Sequence, residues 1–329
     1  MPHQIQLTRN AVNYSINVRC QHRYELYRNE LTNSFNTIID FSQQANNASL
    51  AGALQDRALF QELANLLDAF VVPGVESDLA RTGPGRLNQP RQNDNLFEWL
   101  KPNVHTSYPP SAEQIFQPIA GQNYMQLGPA HLNGNKVTSQ QAYQSYAQNY
   151  VNNDVQGFFA RNPLCQHAVQ KIAENFTNNL QTFVTHLVND WNDVNNCFFA
   201  GNAQALQKIK TTGSDYHKGG KQVLILTFQV NGNGPNKLVY KPSDIEVDCR
   251  LVGDIAAVRG YLPGNLQLTL TNSFAELINQ FIPNDNCPLQ TYKILPRYPG
   301  SVLAPNPNDQ SVRIRDSYGY IEYLKHEPE

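Results

Sequence analysis

Asp215 and His217 stand two residues apart in the stretch TTGSDYHKGGKQ (211–222), and Gly219 and Gly220 follow at once. On an extended backbone, residues i and i+2 share a face, so the carboxylate and the imidazole would point the same way. Such a pair can orient the imidazole or take a proton from a hydroxyl. The glycines, Gly213 among them, lack a Cβ and let the backbone approach a ligand closely. Successive amides in a loop of this kind can cradle phosphate oxygens. Lys241 ends the run KLVYK (237–241), where its ammonium can serve as a point charge on a phosphate. Pro242 then prevents that strand from continuing as a central one. These residue types suit phosphoryl chemistry, but the loop lacks the GxxxxGK[ST] spacing of a P-loop. Spacing alone leaves two readings open: a phosphate-binding loop, or a plain β-hairpin with a polar entry.

The elements that must hold these residues are legible on both sides. VLILTFQV (223–230) and LVY (238–240) are β-branched and aromatic runs joined by the glycine-rich turn NGNGPN (231–236). TYKIL (291–295), SVRIR (311–315) and YGYIEYL (318–324) read as further strands. TNSFAELINQFIP (271–283) reads as a helix capped by Asn272 or Ser273, with Phe274, Leu277, Ile278 and Phe281 on one face. Before the loop the pattern is helical. Tyr24, Leu26, Tyr27, Leu31, Phe35, Ile38 and Ile39 recur at helical spacing, so residues 1–72 read as helix, with Pro73-Gly74 as a stop. Residues 73–123 form a connector rich in Pro, Gly and Asn. Phe176, Leu180, Phe183, Leu187, Trp191 and Val194 form the stripe of a long amphipathic helix, and Ala205, Leu206 and Ile209 extend it toward Thr211. The expected architecture is α+β: a helical region over 1–210, then a sheet-bearing part over 211–329.

Composition narrows the classes. The net charge is −2 and only 16% of residues are charged, which gives no basic surplus for nucleic acid. The five cysteines (Cys20, Cys165, Cys197, Cys249, Cys287) are scattered, and none has metal-ligand spacing. A reduced, cytoplasmic setting follows. The polar start MPHQIQLTRN has no apolar stretch of the signal-peptide kind, and no apolar run approaches the length of a membrane span.

GSDYHKGGKQVLILTF, then KLVYKPSDIEVD, resembles the dehydratase domain of class II lanthipeptide synthetases, the LanM family. That family carries a GDxHxGGR-like loop, an apolar strand, and LVYKP with an acidic residue shortly after. SYGYIEYL (317–324) is similar to its YGWxEF strand. The match is specific over 211–248, supportive at 317–324 and architectural before that. Ser214 and Lys221 stand where the family has Gly and Arg. The resemblance implies a kinase-like small lobe, an antiparallel sheet with one or two helices. It implies ATP and Mg²⁺ as cofactors and a precursor peptide as partner, whose Ser and Thr are phosphorylated and then dehydrated. By the same resemblance Lys241 holds the nucleotide phosphates, Gly219 and Gly220 form the phosphate-facing turn, Asp215 and His217 lie beside the reacting hydroxyl, and Glu276 is the acidic partner of Lys241. The family's large lobe has no counterpart before Glu329. The chain alone is therefore expected to be inactive as a dehydratase, with the remaining part possible as a separate chain. The alternative is a catalytically dead, pseudokinase-like module that binds a peptide or protein.

Other chemistry-bearing residues have plainer expectations. Cys165 beside His167 reads as a packed thiol rather than a nucleophile. Asp190 and Asp193, one turn apart, read as a solvated helix face rather than a metal pair. Tyr318, Tyr320 and Tyr323 read as ordinary strand residues.

Overall fold

Two clusters of apolar side chains organise the chain, and the computed structural model describes residues 3–19, 21–82, 154–212, 221–232, 234–282, 288–298 and 317–324. The protein is mixed α+β, with helices prevailing in the N-terminal region and an antiparallel sheet after it. The chain divides into two compact units: residues 1–37 with 60–174, and residues 38–59 with 175–329.

The first unit opens with a feature the helical spacing of residues 1–72 hides. β1 (His3–Arg9) and β2 (Val12–Val18) form an antiparallel hairpin. Its two-residue turn, Asn10-Ala11, has positive φ at both positions (46° and 67°), the geometry whose twist suits a tight hairpin. Helices follow in the chain: α1 (Gln21–Tyr24), α2 (Arg28–Ser42), α3 (Ala51–Leu54), which belongs to the second unit, and α4 (Arg57–Thr82). Tyr14, Phe35 and Phe60 meet with ring centroids 4.8–6.1 Å apart and anchor this core. Arg23 and Asp68 are buried in the same unit as a doubly hydrogen-bonded pair, each contact 2.9 Å.

α4 runs through Pro73 instead of stopping there. A proline inside a helix costs roughly 3 kcal/mol, but Val71, Val72 and Val75 around it are all buried and offset that loss. Gly74 serves contact rather than termination: a Cβ on it would lie 2.6 Å from Cys165 Sγ. The segment Arg57–Val75 is long and apolar enough to cross a membrane by length and composition, which amends the expectation that no run approaches that length. Over half of it is buried in the fold, and Leu59, Phe60, Leu63, Ala64 and Leu67 form part of the core. α5 (Val155–Arg161) and α6 (Pro163–Phe199) complete the helical part.

The second unit carries a five-stranded antiparallel sheet in the order β3-β4-β5-β7-β6. Its strands are β3 (Ala203–Thr211), β4 (Leu224–Val230), β5 (Lys237–Lys241), β6 (Ile294–Arg297) and β7 (Tyr318–Glu322). β3 occupies the positions read as an extension of the long helix. Among the described residues between β5 and β6 lie four short helices: α7 (Glu246–Val252), α8 (Ile255–Val258), α9 (Gly264–Thr269) and α10 (Phe274–Asn279). Of the two caps the sequence offers, Asn272 and Ser273, it is Ser273 that caps α10. The apolar face predicted for that helix is not buried, however: Phe274, Leu277 and Phe281 are exposed, and Ala275 is the side chain that packs. The strand expected at 311–315 lies outside the described residues, as does most of the connector after Thr82.

Candidate functional site

Strand alternation gives β5 two chemically distinct sides. Tyr240 stands opposite Leu224 on β4 and Tyr320 on β7, and Tyr320 stands opposite Leu295 on β6. This side faces α6, where Phe183 meets Tyr240 at 4.9 Å and Phe199 meets Phe228 of β4 at 4.7 Å. Lys241 and its cross-strand partner Gly319 belong to the other side, where Ile245 and α7 pack.

On that side Lys241 Nζ donates to Asp248 Oδ2 at 3.1 Å. Asp248 sits in the first helix after the lysine strand. Its neighbour in that helix, Cys249, is buried and its thiol lies 3.6 Å from the Ile294 carbonyl on β6, so α7 is fixed against the sheet. The two ion-pair side chains are 35% and 43% exposed, where such a pair is worth about 0–1 kcal/mol. Its placement therefore owes little to stability and leaves the ammonium reachable from solvent. Glu276 is engaged elsewhere: Oε2 accepts from the Ser273 amide at 2.7 Å and Oε1 from the Ile255 amide at 2.8 Å. It closes a capping box at the start of α10. Asp215, His217, Gly219 and Gly220 lie outside the described residues. In sequence they join β3 to β4.

Gly319 had no assigned role from sequence. A Cβ there would run into Ile245 Cδ1 and come within 2.6 Å of the Leu295 carbonyl oxygen. The missing side chain lets Ile245 seat itself at the start of α7, and α7 carries Asp248 to Lys241.

The α6 side holds a second polar network. Asp190, expected on a solvated face, is only 12% exposed. Arg297 Nε donates to its Oδ1 at 3.0 Å and Tyr320 Oη to its Oδ2 at 3.1 Å. Arg297 also donates to Asp193 at 2.7 Å and to the Tyr261 carbonyl at 2.7 Å. Burial raises the Asp190 carboxyl above its ordinary value, against the pull of Arg297 and the tyrosine hydroxyls. Burial and then the Asp190 charge push the Tyr240, Tyr318 and Tyr320 phenols upward. His186 Nδ1 shares a hydrogen bond with Tyr240 Oη at 2.9 Å, and its ring stacks on Tyr318 at 3.6 Å. The tyrosines thus join a network that ties β5, β6 and β7 to α6, beyond ordinary strand packing. An open groove of about 340 Å³ along α6 is lined by Asn178, Gln181, Thr182, Thr185 and His186.

The thiols fit structural roles. Burial raises Cys165 and Cys197 to about 11 and Cys249 to about 12, and a thiol held protonated is a poor nucleophile. Among the described residues, no group of three His, Cys, Asp or Glu side chains could hold a metal ion.

A family model described as a domain of unknown function, DUF4135, matches residues 163–329, from the first residue of α6 to the end of the chain. No curated protein matches.

Proposed function

This chain belongs to the DUF4135 family, a domain family associated with lanthipeptide synthetase-like proteins, and from that premise we propose that it holds the nucleotide phosphates in a LanM-like peptide Ser/Thr dehydratase. The observation that carries this reading is the Lys241–Asp248 pair. Protein kinases place a glycine-rich loop over the phosphates, a lysine on the third strand of the small lobe, and a pairing acid on the helix after it. Counted within the five-stranded sheet, residues 213–220 connect its first two strands, Lys241 ends the third, and Asp248 sits on the next helix. In this assignment Asp248 takes the pairing role, and Glu276 keeps the helix cap.

Lys241 would release part of its contact with Asp248 to the phosphates. Gly219 and Gly220 would let main-chain amides approach them. Asp215 and His217 would flank the peptide hydroxyl and accept its proton. When bound, ATP supplies the phosphoryl group, which passes to the hydroxyl oxygen of the peptide while ADP leaves. Loss of the peptide's α-proton and of the phosphate then yields the dehydroamino acid. The described residues offer a charge for phosphate but no three-ligand set for Mg²⁺, so no step is assigned to the metal.

Calorimetric titration of the chain with Mg-ATP tests the reading. Heat is expected for the wild type and its loss for Lys241→Ala. Absence of heat in both would overturn the nucleotide site and leave a partner-binding module without catalysis.

A further inference from the structure

α10 carries its apolar stripe on the outside. Phe274, Leu277, Ile278 and Phe281 recur at intervals of three and four, so they share one side of the helix. The turn persists past Asn279, because the Gln280 and Phe281 amides donate to the Leu277 and Ile278 carbonyls at 3.2 and 2.9 Å. Such a stripe ordinarily faces the core. Here Ala275 packs inward, while Phe274 and Phe281 are 58% and 84% exposed and Leu277 is exposed as well. α7 packs against α10. Its exposed Val247 and Leu251 each stand two residues from buried Cys249, on the far side of that helix. Large exposed apolar surfaces of this kind mark interaction sites.

The surroundings argue for what covers it. Residues 260–292 contain no Lys or Arg, and their acids are Glu276 and Asp285. Glu276 already engages the Ser273 and Ile255 amides with its two oxygens. An acidic peptide would meet no cation in this stretch, and helices that lie on membranes carry Lys and Arg along their polar side. The stripe also has a symmetry of its own. In FAELINQF (274–281) the outward pattern FxxLIxxF is the same from either end. A two-fold interface requires residue i to meet j while j meets i. An antiparallel copy of α10 meets that condition: Phe274 against Phe281, Leu277 against Ile278, and Glu276 beside Asn279, so that no like charges are opposed. Phe274 and Phe281 together expose roughly 300 Å². Leu277, Val247 and Leu251 bring each copy near the roughly 600 Å² that the smaller specific interfaces bury per partner.

We propose that a second copy of this chain covers the stripe, in a reversible two-fold dimer built on antiparallel α10 helices flanked by α7. An interface of this size is a weak one, so association should be half-complete at about 10 μM or above. This inference does not rest on the nucleotide reading.

Sedimentation of the 329-residue chain from about 1 to 200 μM tests it. The wild type should pass from monomer to dimer. Phe274→Lys and Phe281→Glu each set a charge against a ring of the other copy and should weaken association about tenfold or more. The melting temperature of dilute protein should stay unchanged, because both side chains are exposed. An equimolar mixture of these two variants should recover the dimer, since the introduced ammonium and carboxylate would face each other. A mixture of Phe274→Lys with Phe274→Glu should not, because position 274 does not meet itself. A wild type that stays monomeric, single variants that dimerise like the wild type, failure of the first mixture or recovery in the second would each overturn the proposal. A monomer that binds phosphatidylcholine vesicles through Phe281, lost in Phe281→Glu, would overturn it in favour of lipid.

Discussion

Gly319 lies opposite Lys241 in the register of β5 and β7, and Ile245 occupies the space its side chain would need. Gly319→Ala forces that packing apart, an overpacking change of about 1–3 kcal/mol. Urea denaturation should show the loss, and the variant should also bind Mg-ATP more weakly, since α7 carries Asp248. Asp190 poses a different question at the same scale. Its folded pKa lies above the unfolded one, so between the two values the folded state binds more protons. Stability from this group is thus fully present below the ordinary value of 3.8 and falls as pH rises through the folded pKa. The stability of the wild type relative to Asp190→Asn should decrease from about pH 3.5 toward neutrality in a urea series; an increase would contradict it. Cys165, Cys197 and Cys249, held protonated by burial, should resist brief iodoacetamide treatment at pH 8 when modification is read peptide by peptide.

At the scale of elements, strands with a plain pattern were readable and irregular ones were not. β4 and β5 emerge from runs rich in β-branched and aromatic residues, and Asn272 and Ser273 both mark the start of α10; Ser273 takes the cap because Glu276 returns its carboxylate to the Ser273 amide. β3 misled for a physical reason. Register shifts between Ala203 and Ala205 and between Leu206 and Lys208 break its two-residue alternation. Its buried residues 203, 206 and 209 consequently step by three, as on a helix. The first hairpin lacks the Asn-Gly signal because alanine occupies a left-handed position at Ala11. Ala11→Gly should relieve that strain and stabilise the protein by about 0.5–1 kcal/mol, seen as a raised melting temperature. Ser273→Ala should cost about 0.5–2 kcal/mol by leaving the start of α10 uncapped. At the candidate site, Lys241 is legible from its motif as the last residue of β5. Asp248 carries no signal of its own in the sequence, where Asp244 and Glu246 stand nearer to LVYKP, because its pairing depends on where α7 docks.

Across the whole molecule, each compact unit contains a guanidinium–carboxylate pair deep in its own packing. In the first unit Arg23 and Asp68 are 0% and 2% exposed. Removing one partner strands a buried charge, and Asp68→Ala should cost about 3–5 kcal/mol, measurable as a fall in melting temperature. In the second unit the corresponding pair, Arg297 with Asp190, lies on the sheet face opposite Lys241. Adjacent residues of β5 therefore serve two unlike surroundings: Tyr240 meets His186 on α6, and Lys241 meets Asp248 on α7. A slip of β5 by a single residue would exchange them, forcing an ammonium against the rings on α6 and a phenol toward solvent. A mis-threaded molecule would thus lose its packed core and the Lys241–Asp248 pair at one stroke. The proposed nucleotide binding would count only correctly threaded molecules and would serve as an assay of folding quality as well as of ligand affinity.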